Sequence, residues 1–325
     1  MFLINVLILV VGFLALIKGA DLFVDGSAAL AKIFRVPGLI IGLTIVALGT
    51  SAPELAVSTS AAIQGSNEIA LSNVVGSNIF NILCVLGLCA VIYPVPVDRK
   101  ILKRDFPISI ISTIFVLIAT SAASIFTGRF NMSSMEEDVG SVNRVSGTIL
   151  FVLFVAYICY LIYDSKKHPE KENATKNQPV WKCLMLIVTG LVLIVGGGQA
   201  VVYSAKNIAR FMGMTETLIG LTIVAVGTSL PELVTSVVAA KKGETGLAVG
   251  NVIGSNIFNL MFILGLSALI HPVTVNLASV YDMAILTVVS VLIFIFSLTN
   301  RTIKRTEGII MLVIYIIDVT FAIIR

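Results

Sequence analysis

The chain has 325 residues, 57% hydrophobic and only 12% charged, with 22 Lys and Arg against 18 Asp and Glu and a net charge of +4. Charge at about half its usual share cannot cover a folded surface, which excludes a soluble globular protein. A charge of +4 is too small to suggest a nucleic-acid partner, and no Walker-type loop, H-E-x-x-H or C-x-x-C occurs to support ATP-driven, zinc or thiol-redox chemistry.

Apolar segments fall at 2–31, 38–63, 69–92, 106–124, 146–163, 182–209, 216–240, 247–270, 281–299 and 307–324. Each approaches the roughly 20 residues that cross a hydrocarbon core. The α-helix is the open-chain structure that satisfies its own backbone there, so the prediction is an all-α integral membrane protein of ten transmembrane helices. Residues 2–17 resemble a signal-peptide core. However, no Lys or Arg precedes them and the apolar run resumes beyond Asp21 and Asp25, so this is a first membrane helix. Lys18, one turn from Asp21, predicts a local ion pair. Asp282, Glu307 and Asp318 lie near span ends and read as interfacial. Cys84, Cys89, Cys159 and Cys183 are scattered among apolar residues and read as small hydrophobes. With both termini outside, the inner loops would hold sixteen Lys and Arg, among them Lys32, Arg104, Lys166 and Lys242, against five outside. The positive-inside rule therefore predicts a multi-pass protein of the cell membrane with both termini extracellular.

Residues 41–94 and 219–272 align without a gap at an offset of 178, with about 32 of the 54 positions identical. Gly-Leu-Thr-Ile-Val-Ala-x-Gly-Thr-Ser-x-Pro-Glu-Leu occurs at 42–55 and 220–233, and Asn-Val-x-Gly-Ser-Asn-Ile-Phe-Asn at 73–81 and 251–259. The offset steps the chain by five spans, so each copy enters the membrane from the side opposite its twin. This predicts two inverted-topology five-helix repeats, 1–163 and 182–325, joined by a short cytoplasmic linker at 164–181, with a site at the midplane between them.

Glu54 and Glu232 fall in the middle of the second and seventh spans. A carboxylate at a helix centre costs about 2.5–3.5 kcal/mol on insertion scales and marks function by default. Pro53 and Pro231 lack an N–H and clash with the carbonyl four residues back, so helices 2 and 7 should break there and free carbonyls around Ala47–Gly49 and Ala225–Gly227. Thr50, Ser51, Thr228 and Ser229 add hydroxyls to the gap or cap the following half-helix. Ser77 with Asn81, and Ser255 with Asn259, are four apart and share a helix face; Gly76 and Gly254 allow close approach or a local break, so helices 3 and 8 are also expected to be broken. Asn73, Asn78, Asn251 and Asn256 read as packing or cap groups. All the site's donors are oxygen, which suits hard cations such as Ca²⁺ or Na⁺ and not zinc or copper.

Gly49-Thr50-Ser51-Ala52-Pro53-Glu54 and Gly76-Ser77-Asn78-Ile79-Phe80-Asn81, repeated at 227–232 and 254–259, resemble the paired alpha repeats of the cation/calcium exchanger superfamily, nearest to prokaryotic sodium/calcium exchangers. The resemblance implies antiport of Na⁺ against Ca²⁺ by alternating access. Inward Na⁺ would drive Ca²⁺ extrusion, and helices 1 and 6 would slide across a core of spans 2–5 and 7–10. It implies Glu54 and Glu232 as the main Ca²⁺ ligands. Thr50, Ser51, Ser77, Thr228, Ser229, Ser255 and the carbonyls of Ala47 and Ala225 would complete the Ca²⁺ and Na⁺ sites, with Asn81 and Asn259 at their centre. Asn259 stands where potassium-dependent relatives carry Asp, which argues against K⁺ co-transport. No cofactor is implied, and no partner beyond the bilayer and the transported ions. A cation/proton antiporter on the same fold is the alternative, since two buried Glu could equally bind H⁺. An intramembrane hydrolase built on Ser51 or Ser229 lacks a base, and tight binding by so many oxygens disfavours a passive channel.

Overall fold

The computed structural model describes residues 2–65, 67–127, 138–167, 179–214, 225–299 and 301–324. Its helices are α1 (Phe2–Phe34), α2 (Gly38–Thr50), α3 (Ala52–Gln64), α4 (Ile69–Ile92), α5 (Phe106–Thr127), α6 (Arg144–Lys167), α7 (Val180–Phe211), α8 (Ala225–Thr228), α9 (Leu230–Lys241), α10 (Thr245–Ile270), α11 (Leu277–Leu298) and α12 (Arg305–Ile324). Among the described residues, seven helices are long and apolar enough to cross a membrane, and eight if the bent pair α2–α3 is one span. Of the other two expected spans, the fourth contains the 22-residue helix α5. The first residues of the seventh, 216–224, lie outside the described residues, as do positions 168–178 of the linker.

Four short strands tie the ends of the helices together: β1 (Val95–Pro96), β2 (Asp138–Val142), β3 (Val273–Asn276) and β4 (Thr302–Ile303). β1 pairs antiparallel with β4 and β2 with β3, so Val95 faces Ile303 and Val142 faces Val273. Val95 and Val273 are 178 residues apart, and each small sheet takes one strand from either side of the linker.

Burial sorts the helices. Of the most apolar stretch of α4, 72% is buried inside the protein, and of α10, 78%, against 11% for α12 and 17% for α1. The Gly-Ser-Asn-Ile-Phe-Asn half of the repeated motif is thus carried on the two most buried of these helices. Glycine sets how closely the helices meet. A Cβ on Gly19 would lie 2.8 Å from the Gly190 carbonyl oxygen, and one on Gly197 would lie 2.8 Å from that of Gly12. α1 and α7 therefore pack backbone against backbone, as small residues permit in membranes. Gly87 meets Gly308 between α4 and α12, and Gly147 meets Gly265 between α6 and α10, in the same manner. Gly65 and Gly243, again 178 apart, have φ of 74° and 77° at the ends of α3 and α9, a left-handed turn open to glycine at no steric cost.

Two ionic clusters lie away from the centre. Arg104 is held by Asp105, at 2.6 and 3.1 Å, and reaches Asp164 at the end of α6 at 3.1 Å. Lys100 joins Asp164 at 2.8 Å, and the Tyr157 hydroxyl donates to the fully buried Asp105 at 2.9 Å. The expected Lys18–Asp21 pair forms at 3.4 Å. Asp21 is also taken by Lys242, at 2.7 Å, and the same ammonium lies 2.6 Å from Asp25. The four cysteines are free thiols; Cys89 and Cys183 are buried, while Cys159 is exposed.

Candidate ion-binding site

The second span breaks where proline requires it. α2 and α3 meet at 51°, with Ser51 at φ −81°, ψ 11° between them and Pro53 in the first turn of α3. Ser229, at φ −93°, ψ 7°, separates α8 from α9 in the same way, with Pro231 just beyond. Pro is tolerated in a first turn, where its missing N–H has no helical partner. Glu54 and Glu232 therefore stand in the first turns of α3 and α9, immediately after the breaks.

The expectation of broken third and eighth helices is corrected. α4 and α10 run continuously and absorb the irregularity as π-helical stretches, at Asn81–Val85 and Phe258–Ile263. Neither stretch contains a proline to force a break, and the helix widens instead; such bulges are frequent at functional sites. Gly254 serves close approach: a Cβ there would lie 2.7 Å from the Cα of Leu43 and 2.9 Å from Ala47.

Glu54, Glu232, Thr50, Ser51, Ser77, Ser229, Ser255, Asn81 and Asn259 are all buried, and Thr228 is half-buried. The hydroxyls of Ser51 and Ser229 do not serve the carboxylate of their own copy. Ser51 donates to Glu232 Oε1 at 2.7 Å, and Ser229 donates to Glu54 Oε1 at 2.8 Å. Ser51 also lies 3.0 Å from Ser255, and Ser229 lies 3.0 Å from Ser77. Ser77 and Ser255 reach the glutamates of their own copies, at 3.4 and 3.5 Å. Each acid is thus held by one serine from the other copy and one from its own. Among the described residues, neither takes part in an ion pair with Lys, Arg or His.

Asparagines brace both breaks. Asn73 donates to the Glu54 carbonyl at 3.3 Å and to Ser58 at 2.9 Å, and Asn251 donates to the Glu232 carbonyl at 3.4 Å and to Ser236 at 2.9 Å. Thr50 Oγ1 lies 3.0 Å from Asn251 Oδ1 and 3.1 Å from the Val46 carbonyl. The Ala47 carbonyl accepts the Ser51 N–H at 3.0 Å and the Thr50 hydroxyl at 3.5 Å. Ala225 opens α8, so its backbone stands at the matching position. Asn73 and Asn251, expected as packing or cap groups, act here with Ser58 and Ser236, which helical spacing does not single out. Their identity in both copies at the 178 offset is the signal that marks them.

Asn78 and Asn256 form a second layer. Each donates its Nδ2 to the other's backbone carbonyl at 3.2 Å. Asn81 donates to Asn256 Oδ1 at 3.2 Å, and Asn259 donates to Asn78 Oδ1 at 3.0 Å.

Four of the site's oxygens are left over: Glu54 Oε2, Glu232 Oε2, Asn81 Oδ1 and Asn259 Oδ1 are buried with no hydrogen-bond partner. A buried acceptor without a donor costs about 1–3 kcal/mol, and more when charged. Carboxylate and amide oxygens are hard donors of the kind that Ca²⁺ and Na⁺ take.

Comparison with known proteins agrees with this chemistry. A sequence model described as sodium/calcium exchanger protein matches residues 4–163 and 182–324. The chain is 33% identical to sodium/calcium exchanger MaX1 of Methanosarcina acetivorans, over 96% of this chain and 97% of that one. It is 32% identical to inner membrane protein YrbG of Escherichia coli, over 88% and 86%. Among solved structures, the sodium-calcium exchanger NCX_Mj soaked with 10 mM Na⁺ and zero Ca²⁺ superposes with a TM-score of 0.83 at 32% identity, covering 98% of this chain and 99% of that one. The chain belongs to the sodium/calcium exchanger protein family.

Proposed function

We propose that the chain is a secondary-active antiporter that exchanges Na⁺ for Ca²⁺ across the cell membrane by alternating access. The observation that carries this reading is the set of four orphaned buried oxygens, two from each copy of the motif, with no described protein cation neutralising the acids. Glu54 and Glu232 are the principal Ca²⁺ ligands. Thr50, Ser51, Ser77, Thr228, Ser229, Ser255 and the carbonyls of Ala47 and Ala225 complete the Ca²⁺ and Na⁺ positions, with Asn81 and Asn259 between them. The reciprocal bonds at an offset of 178 support two inverted five-helix halves, 1–163 and 182–325, joined by the linker at 164–181 and counting ten spans in all. The charge distribution supports termini on the outer side.

Charge arithmetic gives the mechanism. Two ionised glutamates are neutralised by one Ca²⁺ or by two Na⁺, so the loaded site can change its exposure across a low-dielectric barrier. The empty site, at −2, is opposed by the cost of burying unpaired charge, and exchange becomes obligatory. A third Na⁺ would carry net charge, worth about 2.3 kcal/mol per 100 mV. Inward Na⁺ then drives Ca²⁺ out. The glycine-packed pair α1–α7, which reaches the breaks through Phe23 and Leu191 at Gly49 and through Val202 at Gly227, is the element suited to slide.

The test is Ca²⁺ uptake into vesicles holding the purified chain, driven by an outward Na⁺ gradient with the pH gradient collapsed. Uptake is expected for the unmodified chain and none for Glu54→Gln or Glu232→Gln. Uptake that follows a pH gradient and ignores Na⁺ would assign the coupling to protons instead.

A further inference from the structure

We propose that Asn78 and Asn256 are positioning residues that fix which atom of Asn81 and Asn259 faces the ion pocket; the inference rests on the exchanger reading of that pocket. An asparagine side chain offers an oxygen at one corner and an NH₂ at the other, nearly equal in shape and opposite in polarity. A pocket lined by the NH₂ corner repels a cation that the oxygen corner would bind. Something must choose between the two.

The choice starts at the backbone. The Asn256 carbonyl can only accept, so Asn78, 3.2 Å away, must turn its NH₂ toward it. That leaves Asn78 Oδ1 as the atom facing Asn259 at 3.0 Å, and Asn259 must in turn present its own NH₂. Its oxygen is thereby directed the other way, where it is buried without a partner. The same relay runs from the Asn78 carbonyl through Asn256 to Asn81, whose oxygen is likewise left without a donor. Flipping Asn81 or Asn259 would set two oxygens against each other at hydrogen-bond distance and replace a cation ligand by a donor. In each relay an acceptor-only carbonyl leaves one arrangement that satisfies every amide hydrogen bond.

The relay is neutral throughout. Asparagine at 81 and 259 lets the pocket offer extra oxygens while its formal charge stays with the two glutamates. An amide is a usable ligand only if its orientation is held. A carboxylate at the same position would need no such hold, because both of its corners are oxygen.

That contrast supplies the experiment. The Ca²⁺ concentration for half-maximal Na⁺-driven uptake is measured in vesicles for the full chain, Asn256→Ala, Asn81→Asp and the double variant, with Glu54→Gln in the same series. Asn256→Ala is expected to raise that concentration about tenfold or more while the maximal rate falls less than about threefold; in the Asn81→Asp background the same alanine should cost less than about twofold. An equal loss in both backgrounds means that Asn256 acts by packing alone and overturns the proposal, as does no loss in the natural background. Asn78→Ala with Asn259→Asp forms the equivalent cycle if Asn256→Ala does not fold. Absence of Na⁺-driven uptake by the unmodified chain would sink the exchanger reading and the relay together. Uptake without coupling between the two positions sinks the relay alone.

Discussion

The two copies of the repeated motif match at the centre of the molecule and diverge at their ends. At the centre, Ser51 meets Glu232 at 2.7 Å and Ser229 meets Glu54 at 2.8 Å, and the two asparagine-to-carbonyl bonds are both 3.2 Å. Toward the ends, Arg104 anchors a cluster with Asp105, Asp164, Lys100 and Tyr157, whereas the residue 178 positions on is Asp282. Lys242 grips Asp21 and Asp25 of α1, while the corresponding residues are Gln64, Gln199 and Tyr203. If the site opens to either face, as proposed above, halves of equal strength serve it, because unequal halves would favour one orientation. Charge accordingly collects where the copies part.

The largest effect is expected where backbones touch. Gly190→Val sets a branched side chain where a Cβ alone would lie 2.6 Å from the Phe23 nitrogen, and should cost more than about 3 kcal/mol. The readout is loss of monodisperse protein, or a large fall in Tm, on extraction. Arg104→Met comes next: it leaves Asp105, which has no exposed surface, without its cation, an expected loss of about 3–5 kcal/mol read by thermal unfolding in detergent. Ser51→Ala and Ser229→Ala sharpen the central half of the comparison. Each removes one charge-assisted hydrogen bond and should raise the Ca²⁺ requirement about tenfold, the two agreeing within about threefold. Unequal losses would show that the halves are not equivalent. The smallest change is expected from Lys242→Gln. Its partners Asp21 and Asp25 have side chains 39% and 57% exposed, so the stability difference should stay below about 1 kcal/mol and shrink in high salt.

The sequence disclosed the parts of the site better than their partners. Proline lacks an N–H in any context, so the breaks beside Pro53 and Pro231 were legible, as was the carboxylate following each. Which hydroxyl serves which carboxylate was not. Helical spacing says that Ser77 and Asn81 share a face, but it says nothing of Ser51 crossing to Glu232, 181 positions on. The third and eighth spans misled for a related reason. A glycine permits a break without demanding one, and Gly254 is used for contact with Leu43 while the helix widens further along, at Phe258–Ile263. Asn78 and Asn256 looked like packing groups because their function lies in an orientation, which only neighbours distant in sequence can set. Lys242 lies 217 positions from Asp25, and no local pattern joins them.

The proposed function has Glu54 and Glu232 hold one divalent ion jointly. Calorimetric titration of Ca²⁺ into the purified chain, without Na⁺, decides whether they do. One Ca²⁺ per chain is expected, with binding lost in Glu54→Gln and in Glu232→Gln alike. Two independent Ca²⁺ per chain, or one that survives either substitution, would contradict the account.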